Sequence, residues 1–82
     1  MAMLDGNAAG GVLDAIFSFE MTTAEGVCAG CGEHRTLATV AVYKTGMGTI
    51  LRCPSCDTVL IRVAEIEGHY WLDMRGMRVL RL

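Results

Sequence analysis

The sequence contains no apolar run that approaches the roughly 18 residues of a membrane-spanning helix, so we expect no membrane segment. It has only one proline, and its 52% of hydrophobic residues against 20% charged residues differ from the composition of a disordered chain. Lys and Arg are absent from residues 1–34, so the start of the chain does not resemble a secretory signal. We therefore expect a folded, cytoplasmic protein.

Charge is distributed unevenly along the chain. Residues 1–34 contain five acidic and no basic side chains, and residues 35–82 contain seven basic and four acidic ones, so that −5 and +3 give the net charge of −2. Phosphate contacts supply most of the non-specific affinity for nucleic acids, and an acidic domain makes few of them. A nucleic-acid partner is therefore not favoured.

Cysteines are few, but they lie in two similar turns, CAGC and CPSC. A domain of 82 residues has a small apolar core and commonly needs a metal, disulfides or oligomerisation. In a reducing compartment, paired Cys-x-x-Cys motifs favour a metal over disulfides. The spacing between the turns is 21 residues, which is one more than the usual maximum for zinc sites of this pattern. The predicted ligands of one Zn²⁺ ion are Cys28, Cys31, Cys53 and Cys56.

The residues that follow each cysteine pair suit such a site. Gly32 can adopt a left-handed backbone conformation, and Asp57, in the matching place, is among the non-glycine types that tolerate it. Four sulfur ligands leave no position for water or substrate, which is typical of structural rather than catalytic zinc. We identify no catalytic residues and no small-molecule substrate, and we expect a non-enzymatic protein.

One helix is predicted near the start of the chain. Residues 5–19 follow the i, i+4, i+7, i+8 spacing of an apolar helix face, which carries Leu13, Ile16 and Phe17. Asp5 or Asn7 is the expected cap of this helix.

Several strands are predicted in the remainder of the chain. Runs of β-branched and aromatic residues indicate strands over residues 36–44, 58–66 and 70–75. Shorter strands are expected before each cysteine pair and after Gly76. The 21 residues between the pairs would form a strand, a turn and a second strand that bring the two turns together.

The motifs CAGCG and CPSCD, flanked by these strand patterns, resemble the knuckles of the zinc-ribbon superfamily over about residues 26–66. The whole chain, from LDGNAAGG to WLDMRG, also resembles a family of small uncharacterised bacterial zinc-ribbon proteins without an established activity. The resemblance implies a ribbon fold with zinc at the four cysteines. Asp57 stands where the commoner knuckle ends in glycine.

We therefore predict a mainly β, small α+β fold, in which an antiparallel zinc-ribbon sheet carries both knuckles at one end and a short N-terminal helix precedes it. A single domain is expected over residues 1–82. It would comprise a helix and connector over residues 1–22, a zinc-ribbon core over residues 26–66 and C-terminal strands over residues 69–82.

Other interpretations of the cysteines remain open. The order Cys-x-x-Cys-Gly and then Cys-Pro-x-Cys also resembles rubredoxins, which hold iron for electron transfer, although His34 and Arg35 stand where aromatic packing is expected. A thioredoxin-like pair should lie between a strand and a helix, whereas both pairs lie between strand patterns. His34 could serve as a ligand, but four sulfurs already complete the shell. A rubredoxin-like iron module and a nucleic-acid-binding zinc ribbon are the two alternatives.

Two surfaces are candidates for contact with an unidentified protein partner or with a second copy of the chain. The first is the apolar face of the predicted helix. The second is the basic, methionine-rich tail, because methionine and arginine are common at interfaces; its arginines are Arg75, Arg78 and Arg81. His69 is interpreted as an exposed turn residue, since no catalytic partner is evident for it.

Overall fold

The computed structural model describes residues 3–5, 11, 13, 16–17, 21–46 and 48–82. Over these residues the chain is mainly β and antiparallel, which confirms the predicted class. No helix in this part of the chain is long and apolar enough to cross a membrane. The described residues contain eight strands: β1 (Met3–Asp5), β2 (Glu25–Cys28), β3 (His34–Thr36), β4 (Ala41–Thr45), β5 (Gly48–Arg52), β6 (Val59–Ile66), β7 (His69–Asp73) and β8 (Met77–Arg81).

The strands form two separate sheets instead of the single sheet expected. Five strands pair in the order β1-β4-β5-β6-β7, and three pair in the order β3-β2-β8. The first cysteine turn, residues 28–33, connects two strands of the three-stranded sheet, and the second, residues 53–58, connects two strands of the five-stranded sheet. These two segments are called the first and second knuckle below. Each knuckle is the turn of one hairpin, and the two hairpins belong to different sheets.

Much of the core lies on one face of the five-stranded sheet, although Leu60, next to Ile61 in β6, is also buried. Val42, Leu51 and Ile61 are paired across three neighbouring strands, so their side chains share a face, and all three are fully buried. Burying a side chain of this size contributes about 1.5–3 kcal/mol. The buried Cys28 and Cys53 belong to the same core cluster, so the knuckles are anchored in apolar packing on their inner sides.

The segment predicted as one strand over residues 36–44 contains a turn. Residues Leu37–Thr39 form a short 3₁₀ helix, and β4 begins only at Ala41. The Thr39 hydroxyl donates to the Thr36 carbonyl at 2.8 Å, and Leu37 and Val40 are both buried. A helical turn places residues three apart on one side, whereas a strand would direct them to opposite faces. The need to bury both side chains therefore overrides the strand propensity.

The predicted helix over residues 5–19 lies mostly outside the described residues, as does its candidate cap Asn7. The other candidate cap, Asp5, belongs instead to β1, where its backbone pairs with Ala41. The amide of Phe17 donates to the carbonyl of Leu13 at 2.8 Å, which is the spacing of a helical hydrogen bond. The extent of the helix remains a prediction.

Gly76, in the turn before β8, contacts both sheets. Its Cα lies so close to β6 that an added Cβ would collide with the backbone of Val59 and Leu60. Its carbonyl accepts a hydrogen bond of 2.8 Å from the amide of Ala29 in the first knuckle. Only a residue without a side chain fits between these two neighbours.

We predict that Gly76→Ala lowers the free energy of unfolding by about 1–3 kcal/mol, because backbone must move to admit the methyl group. Denaturant unfolding followed by circular dichroism measures the change. Gly46→Ala is the matched control, since a Cβ there meets nothing within 4 Å. Equal stability of the two variants would show that the approach at Gly76 is not tight.

Candidate metal centre

The two knuckles close with the same backbone hydrogen bonds. The amide of Cys28 donates to the carbonyl of Glu33 at 3.0 Å, and the amide of Cys53 donates to the carbonyl of Thr58 at 2.9 Å. Each bond joins the first cysteine of a knuckle to the residue five positions later. The knuckles are therefore equivalent in backbone structure although they belong to different sheets.

The residue after each cysteine pair has the predicted left-handed conformation. The φ angle is 76° at Gly32 and 64° at Asp57. The amide of Gly32 donates to the Cys28 carbonyl at 2.9 Å, and that of Asp57 to the Cys53 carbonyl at 2.8 Å. Asp57 thus reproduces the geometry of a glycine knuckle. Arg52 supports it by donating to the Asp57 carbonyl at 2.9 Å.

The four cysteine sulfurs converge on one point. The Sγ atoms of Cys28 and Cys56 are 3.6 Å apart, and those of Cys31 and Cys53 are 3.7 Å apart. All four sulfurs lie within 4.8 Å of one another, and none forms a disulfide. Both short distances join a cysteine of one knuckle to a cysteine of the other. The arrangement could hold a metal ion between the two sheets.

One cysteine of each knuckle faces the core and the other faces outward. Cys28 and Cys53 are buried, whereas Cys31 and Cys56 are exposed. A cavity of about 10 Å³ lies beside the buried pair and is also lined by Arg35. This volume is close to the space that one water molecule occupies. An ion held by the sulfurs would therefore have protein on one side and solvent on the other.

Polar groups contact the sulfurs of Cys28 and Cys56. The amide of Gly30 donates to the sulfur of Cys28 at 3.3 Å. The Thr58 hydroxyl lies 3.0 Å from the sulfur of Cys56, and hydrogen bonds from this hydroxyl and from the Thr58 amide lower the pKa of the Cys56 thiol to about 6. A side chain at position 30 would collide with the Thr58 hydroxyl and would approach the Cys56 sulfur to 3.2 Å.

Crowding of the sulfurs has the opposite effect on Cys31. The backbone hydrogen bond at Glu33 lowers the pKa of this thiol, but burial by neighbouring atoms and the hydrogen bonds to the other three cysteines outweigh it and raise the pKa to about 12. The Cys31 thiol therefore keeps its proton unless a cation lies among the sulfurs. A metal ion supplies that positive charge and displaces the remaining protons.

A side-chain network connects the knuckles outside the sulfur cluster. The hydroxyl of Ser55, in the second knuckle, donates to the carboxylate of Glu33, and Arg35 pairs with the other carboxylate oxygen at 2.8 Å. Arg35 also donates to the Ser55 hydroxyl at 3.3 Å. The Ser55 bond, followed by the charge of Arg35, lowers the pKa of Glu33. This network restrains the position of one knuckle relative to the other.

The structure brings together all four of the predicted ligands and leaves His34 outside the cluster. His34 instead approaches the carboxylate of Glu25, with 3.6 Å between Nε2 and Oε1. Sequence reasoning missed the contact of the Thr58 hydroxyl with the Cys56 sulfur. The position of this threonine, two residues after the cysteine, could have indicated it. Sequence reasoning also missed the contact of Glu33 with Ser55, because the two lie 22 positions apart in the sequence and no local pattern indicates the contact.

The two predicted contact surfaces are partly used within the chain. Leu13 is fully buried, and Ile16 and Phe17 pack against the core, so this face covers the protein's own interior. In the tail, Arg75 binds the Asp73 carboxylate, with 2.7 Å between Nη2 and Oδ2, and Arg81 pairs with Glu25. These two arginines therefore balance acidic groups of the same chain.

The chain matches, over residues 1–82, the model of a family described as "Family of unknown function (DUF6510)". Comparison with curated proteins and with solved structures gives no match.

We predict that Thr58→Val weakens metal binding about 10-fold, in the range found for groups that contact a ligand without touching the metal. Loss of the hydroxyl raises the pKa of the Cys56 thiol, so protons displace the metal at a higher pH. Metal release is measured against pH with a chromogenic chelator. Thr58→Ser keeps the hydroxyl and should release metal at the wild-type pH. Identical release curves for Val and Ser at this position would contradict the assigned role.

Proposed function

The chain belongs to this family of unknown function, and we propose that its four cysteines hold one structural zinc ion in a non-enzymatic, cytoplasmic module that binds another protein. The observation that carries the proposal is the convergence of sulfurs from both sheets on one point. In this proposal the ion joins the three-stranded sheet to the five-stranded sheet, and the assembled domain presents a surface to its partner.

The sulfur distances support a small tetrahedral ion. Zinc–sulfur bonds of about 2.3 Å place sulfurs about 3.8 Å apart at the corners of a regular tetrahedron. The two short distances, 3.6 and 3.7 Å, are close to this value, and the largest separation of 4.8 Å would have to shorten. Iron in four thiolates has similar geometry, so metal analysis must distinguish the two ions. The knuckle pattern and its closed sulfur shell favour zinc.

A structural role is supported by the surroundings of the sulfurs. Four protein ligands fill a tetrahedral shell and leave no open position for a reacting molecule. The cavity beside Cys28 and Cys53 is about 10 Å³ and has no room for a substrate. The ion would therefore stabilise the fold, as in small domains that are unfolded without metal.

A protein partner is supported by the position of the exposed apolar side chains. Four of the six exposed large hydrophobic residues of the described chain lie in the hairpin of β6 and β7, at one edge of the five-stranded sheet. Clustered exposed apolar residues are typical of protein-binding surfaces. The net charge of −2 falls to −4 when zinc binds four thiolates, since the ion adds +2 and the thiolates −4, which disfavours nucleic acid. These four residues are Ile66, Tyr70, Trp71 and Leu72; the other two, Val79 and Leu82, lie on or just after β8 in the other sheet.

We predict one zinc ion per chain and a colourless protein. Removal of the metal with a chelator should abolish most of the sheet signal in the far-ultraviolet circular dichroism spectrum, because apparent binding energies of about 10–16 kcal/mol support small zinc domains. Return of zinc should restore the spectrum, which controls for damage by the chelator. A coloured, iron-containing protein would replace the zinc assignment with the electron-transfer alternative. An unchanged spectrum after complete metal removal would refute the structural role.

A gel-shift titration tests the nucleic-acid alternative. We predict no retardation of DNA or RNA at low salt, where phosphate contacts are strongest. Retardation that weakens steeply as salt rises would favour the nucleic-acid-binding alternative over a protein partner.

A further inference from the structure

The exposed apolar residues are concentrated on the outer strand of the five-stranded sheet. Three consecutive residues of β7 are exposed: Tyr70 by 42%, Trp71 by 64% and Leu72 by 39%. Successive residues of a strand point to opposite faces, so both faces of β7 carry apolar groups in contact with water. In the described part of the chain, β7 pairs with β6 on one side and with no strand on the other.

This outer edge lacks the features that usually prevent pairing between molecules. Edge strands are commonly protected by Lys, Pro, bulges or very short length. β7 has five residues, His-Tyr-Trp-Leu-Asp, with no Lys or Pro and no register shift against β6. By contrast, β8 carries Arg78 and Arg81, and β3 has only three residues. Of these three edges in the described chain, β7 is the least protected.

The turn before β7 determines which of its backbone groups face outward. Glu67 and Gly68 form a two-residue loop with positive φ angles of 52° and 79°, the pattern of a type I′ hairpin. The bond that closes such a turn joins Ile66 to His69. Hydrogen-bonded pairs alternate along an antiparallel ladder. The amides and carbonyls of Tyr70 and Leu72 therefore point away from β6.

We propose that β7 pairs antiparallel with β7 of a second copy of this chain, with a two-fold axis at Trp71. In this register Tyr70 of each copy lies opposite Leu72 of the other, and their outward amides and carbonyls form four hydrogen bonds across the axis. The two five-stranded sheets then become one continuous sheet. The inference deepens the proposed function, on which it rests, by naming the protein partner.

The sequence of β7 is complementary to itself in this register, and that property favours a second copy over a different protein. The two Trp71 side chains face each other in a pair without backbone hydrogen bonds, where side chains approach most closely. Tyr70 packs beside Leu72 of the second copy. His69 lies opposite Asp73, so a ring that can donate or carry positive charge meets a carboxylate. No like charges are opposed at any of the five positions.

The Asp73 carboxylate is held by a neighbouring residue of its own chain. Arg75 holds its carboxylate through three side-chain hydrogen bonds, the shortest 2.7 Å, and through its own backbone amide at 3.0 Å. The guanidinium balances the charge of Asp73 at the end of the strand. Most of the remaining contact is apolar or between backbone groups, so dimer formation should change little with salt concentration, unlike an association based on charge pairing.

The test is sedimentation of the metal-loaded protein from about 1 μM to about 1 mM, a range that brackets weak association. We expect the weight-average mass of the wild type to double as the concentration rises. Trp71→Lys places two positive charges opposite each other at the axis and should raise the dissociation constant at least 10-fold. Val79→Lys is the matched control, because Val79 is 57% exposed on the edge of the other sheet and should leave dimerisation unchanged.

A second variant tests the backbone register. Tyr70→Pro removes an amide hydrogen that β6 does not use, and proline is tolerated where a strand's amide faces solvent. It should weaken the dimer while the circular dichroism spectrum of the monomer is retained. Trp71 is the only tryptophan, so its emission in the wild type and in Val79→Lys should shift to shorter wavelength as dimers form.

Three outcomes would overturn the inference: a wild type that stays monomeric, a dimer that Trp71→Lys leaves intact, or equal weakening by Val79→Lys. Zinc content and circular dichroism are measured on the same samples. A monomeric wild type with one zinc per chain rejects the dimer but retains the metal-held module. A dimer without bound metal rejects the zinc assignment and retains the β7 interface.

Discussion

The convergence of four cysteine sulfurs on one point is the constraint on which the rest of this structure depends. They come from two hairpins in two sheets, and the shortest sulfur–sulfur distances connect one knuckle to the other. The inner sulfurs contribute to the apolar core and the outer ones face solvent. The cysteine cluster is thus both part of the packing and the junction between the sheets. At the same junction, Glu33 forms an ion pair with Arg35 and accepts a hydrogen bond from Ser55, and these exposed contacts contribute less to stability.

Local chemistry explains why the knuckles could be predicted from sequence. A Cys-x-x-Cys turn followed by a residue that tolerates positive φ specifies its own backbone, so Gly32 and Asp57 adopt the expected conformation. The antiparallel strands that flank the knuckles could be predicted for a similar reason, because runs of β-branched residues and turn residues are patterns that each span only a few positions. The 3₁₀ turn at Leu37–Thr39 could not, since it depends on burying Leu37 and Val40 together.

The division into two sheets was beyond sequence reasoning for a different physical reason. β2 pairs with β8 across more than 50 residues, with Val27 opposite Val79, and neither strand's sequence identifies the other. The same holds for β1, whose three residues pair with β4. Loop-closure entropy grows slowly with length, so distant pairings of this kind compete closely with local ones. Their outcome depends on the packing of the whole chain, including the approach of Gly76 to β6.

The pairing of β2 with β8 also has a consequence for the newly made polypeptide. At synthesis rates of about 5–20 residues per second, β8 follows β2 out of the ribosome after roughly 3–10 s. During that interval the first two cysteines are held only by a two-stranded hairpin, which is marginally stable by itself. The second pair emerges earlier than β8, so the ion can be captured before the smaller sheet is complete. If the cysteines bind a metal as proposed, all four ligands are present before the strand that completes the smaller sheet.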